Sequence, residues 1–141
     1  IDYYDLSIMT EPAELLSTLQ QATTGLQWLS ESDYPFEVVH WQDLPTLTPD
    51  RLRQLIHQPA DATVEIQDLD SFFEVATQNQ DWHSADDRAV VQRYQALVKT
   101  LKQLLTNPQV YRIGEVEIEI LILGKTGQDC YSGVSTRAIE T

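Results

Sequence analysis

The chain is poor in cysteine, in positive charge and in long apolar runs, and each shortage excludes a class of protein. Cys130 is the only cysteine, so no intrachain disulfide can form. That suits a reducing compartment, and a cytoplasmic protein is expected. Lysine and arginine total 9 against 22 aspartates and glutamates, a formal net charge of −13. A surface that negative repels phosphates, so direct binding of nucleic acid is not expected. A basic protein partner would instead be attracted, and would arrive faster at low salt. Acidity also serves solubility alone, and charge by itself does not separate these two readings. No apolar run approaches the roughly eighteen residues of a membrane helix; the longest, Ile120-Leu121-Ile122-Leu123, reads as a buried strand. The opening residues, Ile1-Asp2-Tyr3-Tyr4-Asp5, do not lead from a basic stretch into an apolar one and do not read as a signal peptide.

The local signatures of catalysis are missing as well. A nucleophilic enzyme needs a base oriented beside its nucleophile, yet Cys130 falls in an expected loop and His40, His57 and His83 are scattered. The histidines show no metal-ligand spacing. Glu115, Glu117 and Glu119 alternate along one expected strand, about 7 Å apart on one face. Such a row makes a solvated face more readily than a tight cation site, which needs ligands converging from several directions. Asp86 and Asp87 suit the positive end of a helix dipole. Gly124-Lys125-Thr126 lacks the preceding glycine pattern of a phosphate loop, and no dinucleotide fingerprint appears. No catalytic residue and no cofactor is expected.

What is present suffices for a core. With 141 residues, 42% of them hydrophobic, the chain suits one domain over residues 11–141, preceded by an acidic, aromatic lead-in over 1–10. Thr10, Pro12 and Gly25 bracket a first helix over 11–24, with Leu15, Leu19, Ala22 and Leu26 on its buried face. A polar turn, Ser30-Glu31-Ser32-Asp33, precedes a strand over 35–41. A short helix over 50–57, a strand over 63–66 and a helix capped by Asp70 with Phe72, Phe73 and Ala76 follow. Ser84 and Asp87 form a capping box for the longest helix, which runs to about Thr106 and is stopped by Asn107-Pro108. Its expected stripe is Val90, Tyr94, Leu97, Val98, Leu101, Leu104 and Leu105. The remainder is β: 110–113, then 115–123, a turn-rich loop over 124–133, and a final strand over 134–139. Acids alternate with aliphatics through Ile120, and Leu121 to Leu123 are apolar on both faces, so the sheet is expected to be covered on both sides there. The order implies an α+β domain with a mainly antiparallel sheet and helices on its faces.

Three positions suit recognition. Glu31 lies in a polar turn, where a projected carboxylate can imitate a phosphate before arginine or lysine. Trp82 ends the polar loop Thr77-Gln78-Asn79-Gln80-Asp81, and an exposed tryptophan is a favoured interface anchor. Thr141 closes a sequence whose last strand runs almost to its end, and terminal oxygens can serve a hard metal ion held by another protein. Taken singly, each has an ordinary structural explanation.

Longer strings add a resemblance. Gly25-Leu26-Gln27-Trp28-Leu29-Ser30-Glu31-Ser32-Asp33-Tyr34-Pro35-Phe36-Glu37-Val38 resembles the N-terminal portion of the nuclease A inhibitor family. So do Asp70-Ser71-Phe72-Phe73, Gln80-Asp81-Trp82, the run from Asn107 to Glu117, and the ending Gly133-Val134-Ser135-Thr136 through Glu140-Thr141. The blocks are collinear over about 11–141. The resemblance implies a three-layer α/β/α sandwich related to the pathogenesis-related-1 type. It implies inhibition of a sugar-nonspecific DNA/RNA endonuclease with a ββα-metal active site. It also assigns Glu31 to a substrate-phosphate position, Trp82 to the interface, and Thr141 to the partner's catalytic Mg²⁺. An acidic module binding some other basic protein, or a small hydrolase, remain the alternatives.

Overall fold

A computed structural model describes residues 12–28, 34–127 and 129–140. In chain order the elements are α1 (Pro12–Thr23), β1 (Gln27–Trp28), β2 (Tyr34–Pro35), β3 (Glu37–Trp41), α2 (Pro49–Leu55), β4 (Val64–Gln67), α3 (Leu69–Thr77), α4 (Ala85–Leu104), β5 (Thr106–Ile113), β6 (Glu117–Gly127) and β7 (Cys130–Ile139). The molecule is α+β. Five strands form one antiparallel sheet in the order β3-β7-β6-β5-β4, and β1 pairs with β2 in a separate two-stranded ribbon.

Side-chain alternation along β6 divides the core. Ile118, Ile120 and Ile122 pack with Leu15 and Leu19 of α1, Phe73 of α3 and Leu97 and Leu101 of α4. Leu121 and Leu123 point the other way, to Tyr111, Ile113 and the fully buried Leu52 of α2. A strand with apolar residues on both faces is therefore covered on both, as its composition demands.

Helix ends are fixed by side chains. At α4 the Ser84 hydroxyl accepts from the Asp87 amide at 3.1 Å and the Asp87 carboxylate accepts from the Ser84 amide at 3.0 Å. This is the expected reciprocal cap, with aspartate at the usual glutamate position. Gly25 follows α1 with φ of 79°, a conformation that costs glycine little. The Arg93 guanidinium then donates to the carbonyls of Thr24 at 2.6 Å and Ala22 at 3.2 Å, which satisfies acceptors left open at the helix end.

Several expectations shift. Asp68, not Asp70, caps α3, its carboxylate accepting from the Ser71 amide at 3.1 Å; Asp70 sits in the first turn and pairs with Lys102 at 2.8 Å. Val91 rather than Val90 joins the buried stripe of α4. That helix ends at Leu104, and Asn107-Pro108 lie within β5, at a break in its register with β6. Glu115 precedes the strand that carries Glu117 and Glu119. The expected loop over 124–133 is mostly sheet, because β6 extends to Gly127 and β7 begins at Cys130. Gly124 and Gly133 are there for close packing: a Cβ on Gly124 would stand 2.7 Å from that of Leu105, and one on Gly133 would strike the carbonyl oxygen of Ile122.

Candidate functional site

Trp82 is 77% exposed, an unusual position for a large apolar surface, and its loop is held rather than slack. Below it, the Gln95 side-chain amide donates to the Thr77 carbonyl at 2.8 Å, tying the end of α3 to α4. The His83 amide donates to the Gln80 carbonyl at 3.0 Å, and the Gln80 amide donates to His83 Nδ1 at 3.0 Å. The imidazole meets the indole edge-on, ring centroids 4.3 Å apart. Ser84 and Asp87 then start α4. A tryptophan on a loop closed at both ends has little conformational freedom left to lose on binding.

Beside Trp82 lies a cleft of about 550 Å³. Leu26, Trp28, Ala76 and Val91 are among its apolar lining, and Gln27, His83 and Asp87 supply polar groups. Of the five large hydrophobic residues exposed among the described residues, three border this cleft: Val75, Trp82 and Val90. Beneath, Trp28 stacks on Phe72 with centroids 4.5 Å apart and meets Phe73 and Tyr94 edge-on. The Tyr94 hydroxyl donates to the Gln27 carbonyl, fixing the ribbon to α4.

That ribbon leads to the second candidate. Trp28 pairs with Tyr34 and Gln27 with Pro35, so residues 29–33 join its two strands; Glu31 lies outside the described residues. On the far side, the Thr136 hydroxyl of β7 donates to the carbonyls of Pro35 at 2.9 Å and Tyr34 at 3.2 Å. β7 ends at Ile139, one residue before the last described residue, Glu140. There the Glu140 amide donates to the Val116 carbonyl at 2.9 Å, and the Glu140 carboxylate pairs with Arg112. Thr141 also lies outside the described residues. A line of contacts thus joins Trp82 to the foot of the ribbon, the ribbon to Thr136, and β7 to Glu140.

The other singled-out groups go elsewhere. Cys130, half-buried, opens β7 instead of sitting in a loop. His40 Nδ1 bonds the Ser132 hydroxyl, which also lies 3.2 Å from Thr126 Oγ1. A serine beside an imidazole invites comparison with a nucleophile and its base, but Ser132 is completely buried and no substrate can reach it. Glu119 pairs with Arg137 at 3.0 Å. Among the described residues no three of His, Cys, Asp and Glu gather to hold a metal ion, and no helix is long and apolar enough to cross a membrane.

Val75 escapes a sequence reading that seeks only buried stripes, and Val90, read there as part of the buried stripe of α4, is exposed at the cleft instead. The signal for Val75 is an apolar residue off the buried face: α3 buries Leu69, Phe72 and Phe73 and leaves Val75 78% exposed.

Comparison with family models decides the kinship. The model of nuclease A inhibitor-like proteins matches residues 13–141. The chain belongs to that family. No curated protein matched it. Membership in an inhibitor family implies a protein partner. The match takes in both strands of the ribbon, the Trp82 loop and β7.

Proposed function

We propose that this protein inhibits a sugar-nonspecific DNA/RNA endonuclease by occupying its basic, Mg²⁺-containing active site. The family match over 13–141 carries the reading. Charge supports it: a net charge of −13 steers a protein toward the cationic cleft that a nuclease keeps for phosphates.

The residues proposed to act are Glu31, Trp82 and Thr141. Glu31 pairs with cationic side chains that otherwise grip a substrate phosphate. Thr141 supplies oxygen to the partner's Mg²⁺, an ion that commonly keeps coordination positions open for substrate. Trp82 buries against the rim of the cleft, and its exposure on a closed loop favours that role. Residues 11–141 act as one domain, read as a three-layer α/β/α sandwich of the pathogenesis-related-1 type; the separate clusters against the two faces of β6 favour that layering.

The direct test titrates the protein against a Mg²⁺-dependent, sugar-nonspecific ββα-metal endonuclease degrading DNA and RNA. Loss of both activities at stoichiometric inhibitor is expected. A panel of such enzymes left fully active by excess protein would reject the proposal.

A further inference from the structure

We propose that the cleft beside Trp82 seats an arginine side chain of the basic partner, its guanidinium against the indole and its stem along Val75 and Val90. The partner's identity rests on the inhibitor reading, whereas the preference of the cleft for arginine is a property of this chain alone.

Three observations lead here. First, Val75, Trp82 and Val90 are exposed and contiguous around one concave surface, and apolar patches of that kind mark sites that a partner covers. Second, the cleft is not uniformly apolar. Asp87 lines it at the start of α4, where the Ser84 amide and hydroxyl hold its carboxyl below the ordinary value and hence anionic near neutrality. Asp86, its exposed neighbour, adds to the negative potential of that helix end. Third, a cation beside the cleft is already engaged. Arg93, against Gly25, is bonded to the carbonyls of Thr24 and Ala22.

The occupant follows from that lining. A leucine would cover the valines and leave Asp87 without a counter-charge. A lysine would answer the charge but present a compact ammonium that does not match a flat indole. Arginine combines an apolar stem with a planar, weakly hydrated cation that stacks on aromatic faces. A protein of net charge −13 also draws cationic partners.

The test uses the whole chain, isotopically labelled for NMR, and three capped tripeptides, Gly-Arg-Gly, Gly-Lys-Gly and Gly-Leu-Gly. The arginine peptide is expected to shift the Trp82 indole and the amides of Gln27 and Val90, with affinity about threefold or more above the other two. Equal or stronger binding of the leucine peptide, or no shift with any peptide, overturns the proposal. Two variants at an exposed helix position supply a second readout. Val90→Lys is expected to abolish the arginine shifts and to weaken inhibition of the endonuclease about tenfold, whereas Val90→Glu, which loses the same apolar contact but brings no positive charge, is expected to weaken both several-fold less. Equal weakening by the two overturns the cationic occupant. Unaltered inhibition by Val90→Lys removes the cleft from the interface and leaves the inhibitor reading standing. If the wild-type protein inhibits nothing, that reading falls, and the peptide titration still judges the cleft.

Discussion

Thr136 donates its hydroxyl to the carbonyl of Pro35 at 2.9 Å, across 101 positions of sequence. The bond fixes the ribbon that carries residues 29–33 to the strand that leads to the chain end. Thr136 is buried, so its loss leaves the Pro35 and Tyr34 carbonyls short of a donor with little water to replace it. Thr136→Val keeps the shape and removes the hydrogen. A loss of about 1–2 kcal/mol in urea unfolding is expected, with inhibition weakened beyond what the unfolded fraction explains. Thr136→Ser should restore most of both. A valine variant as stable and as inhibitory as wild type would show that the ribbon is held by packing alone.

Trp82 and Glu31 are proposed anchors of one surface. Truncating a central anchor costs about 2 kcal/mol or more of binding, about tenfold or more in Kd. Trp82→Ala removes an exposed side chain, so binding should suffer while the unfolding midpoint stays within about 0.5 kcal/mol of wild type. Glu31→Ala should likewise weaken inhibition, and by more at low salt than at high salt, because its role is electrostatic. Undiminished inhibition by both variants would send the interface elsewhere on the molecule.

The sequence reveals most where one physical rule acts alone. Ser84 and Asp87 start α4 as a capping box regardless of what surrounds them, and the alternation of Glu117, Ile118, Glu119 and Ile120 announces a strand. Where two rules compete, the choice is made by tertiary contacts. Val90 and Val91 stand 100° apart on the helix, and only the direction of the core decides that Val91 is buried and Val90 lines the cleft. Asp68 and Asp70 are both competent caps, and Asp70 is claimed by Lys102. Gly124 and Gly133 resemble turn residues, yet each yields space to a neighbouring backbone or side chain inside the sheet. The exposure of Trp82 is legible from its polar loop; the cleft is not, because its walls come from Gly25–Trp28, Val75–Ala76 and Trp82–Tyr94, segments joined only by the fold.

Acid should reach the Trp82 loop through the cap of α4. The Asp87 carboxyl lies below its ordinary value of 3.8, chiefly through the Ser84 amide and then the Ser84 hydroxyl. A depressed folded-state value means that the contribution is complete above the unfolded-state value and fades as pH falls through the folded one. The window is therefore the acid side of about pH 4. Wild type and Asp87→Asn should differ in stability at about pH 6 and converge at about pH 2. The measurement is urea unfolding at both values. A gap between them that persists unchanged at the lower pH would assign the effect of the substitution to something other than the ionised cap.

Glu140 is anchored beside the sheet. The Glu140 amide bonds the Val116 carbonyl at 2.9 Å, and its carboxylate is paired with Arg112. Glu140 is thus held at both backbone and side chain. If Thr141 approaches a metal ion in the partner's active site, residues appended to it must enter the same confined space. A glycine-serine extension of about four residues, roughly 13 Å when extended, is therefore expected to weaken inhibition tenfold or more on the scale of a lost anchor, without changing stability. Arg112→Ala in the extended protein should recover part of the loss by releasing Glu140 from its partly exposed ion pair. Full inhibition by the extended protein would take Thr141 out of the interface while leaving Trp82 and Glu31 to be judged on their own variants.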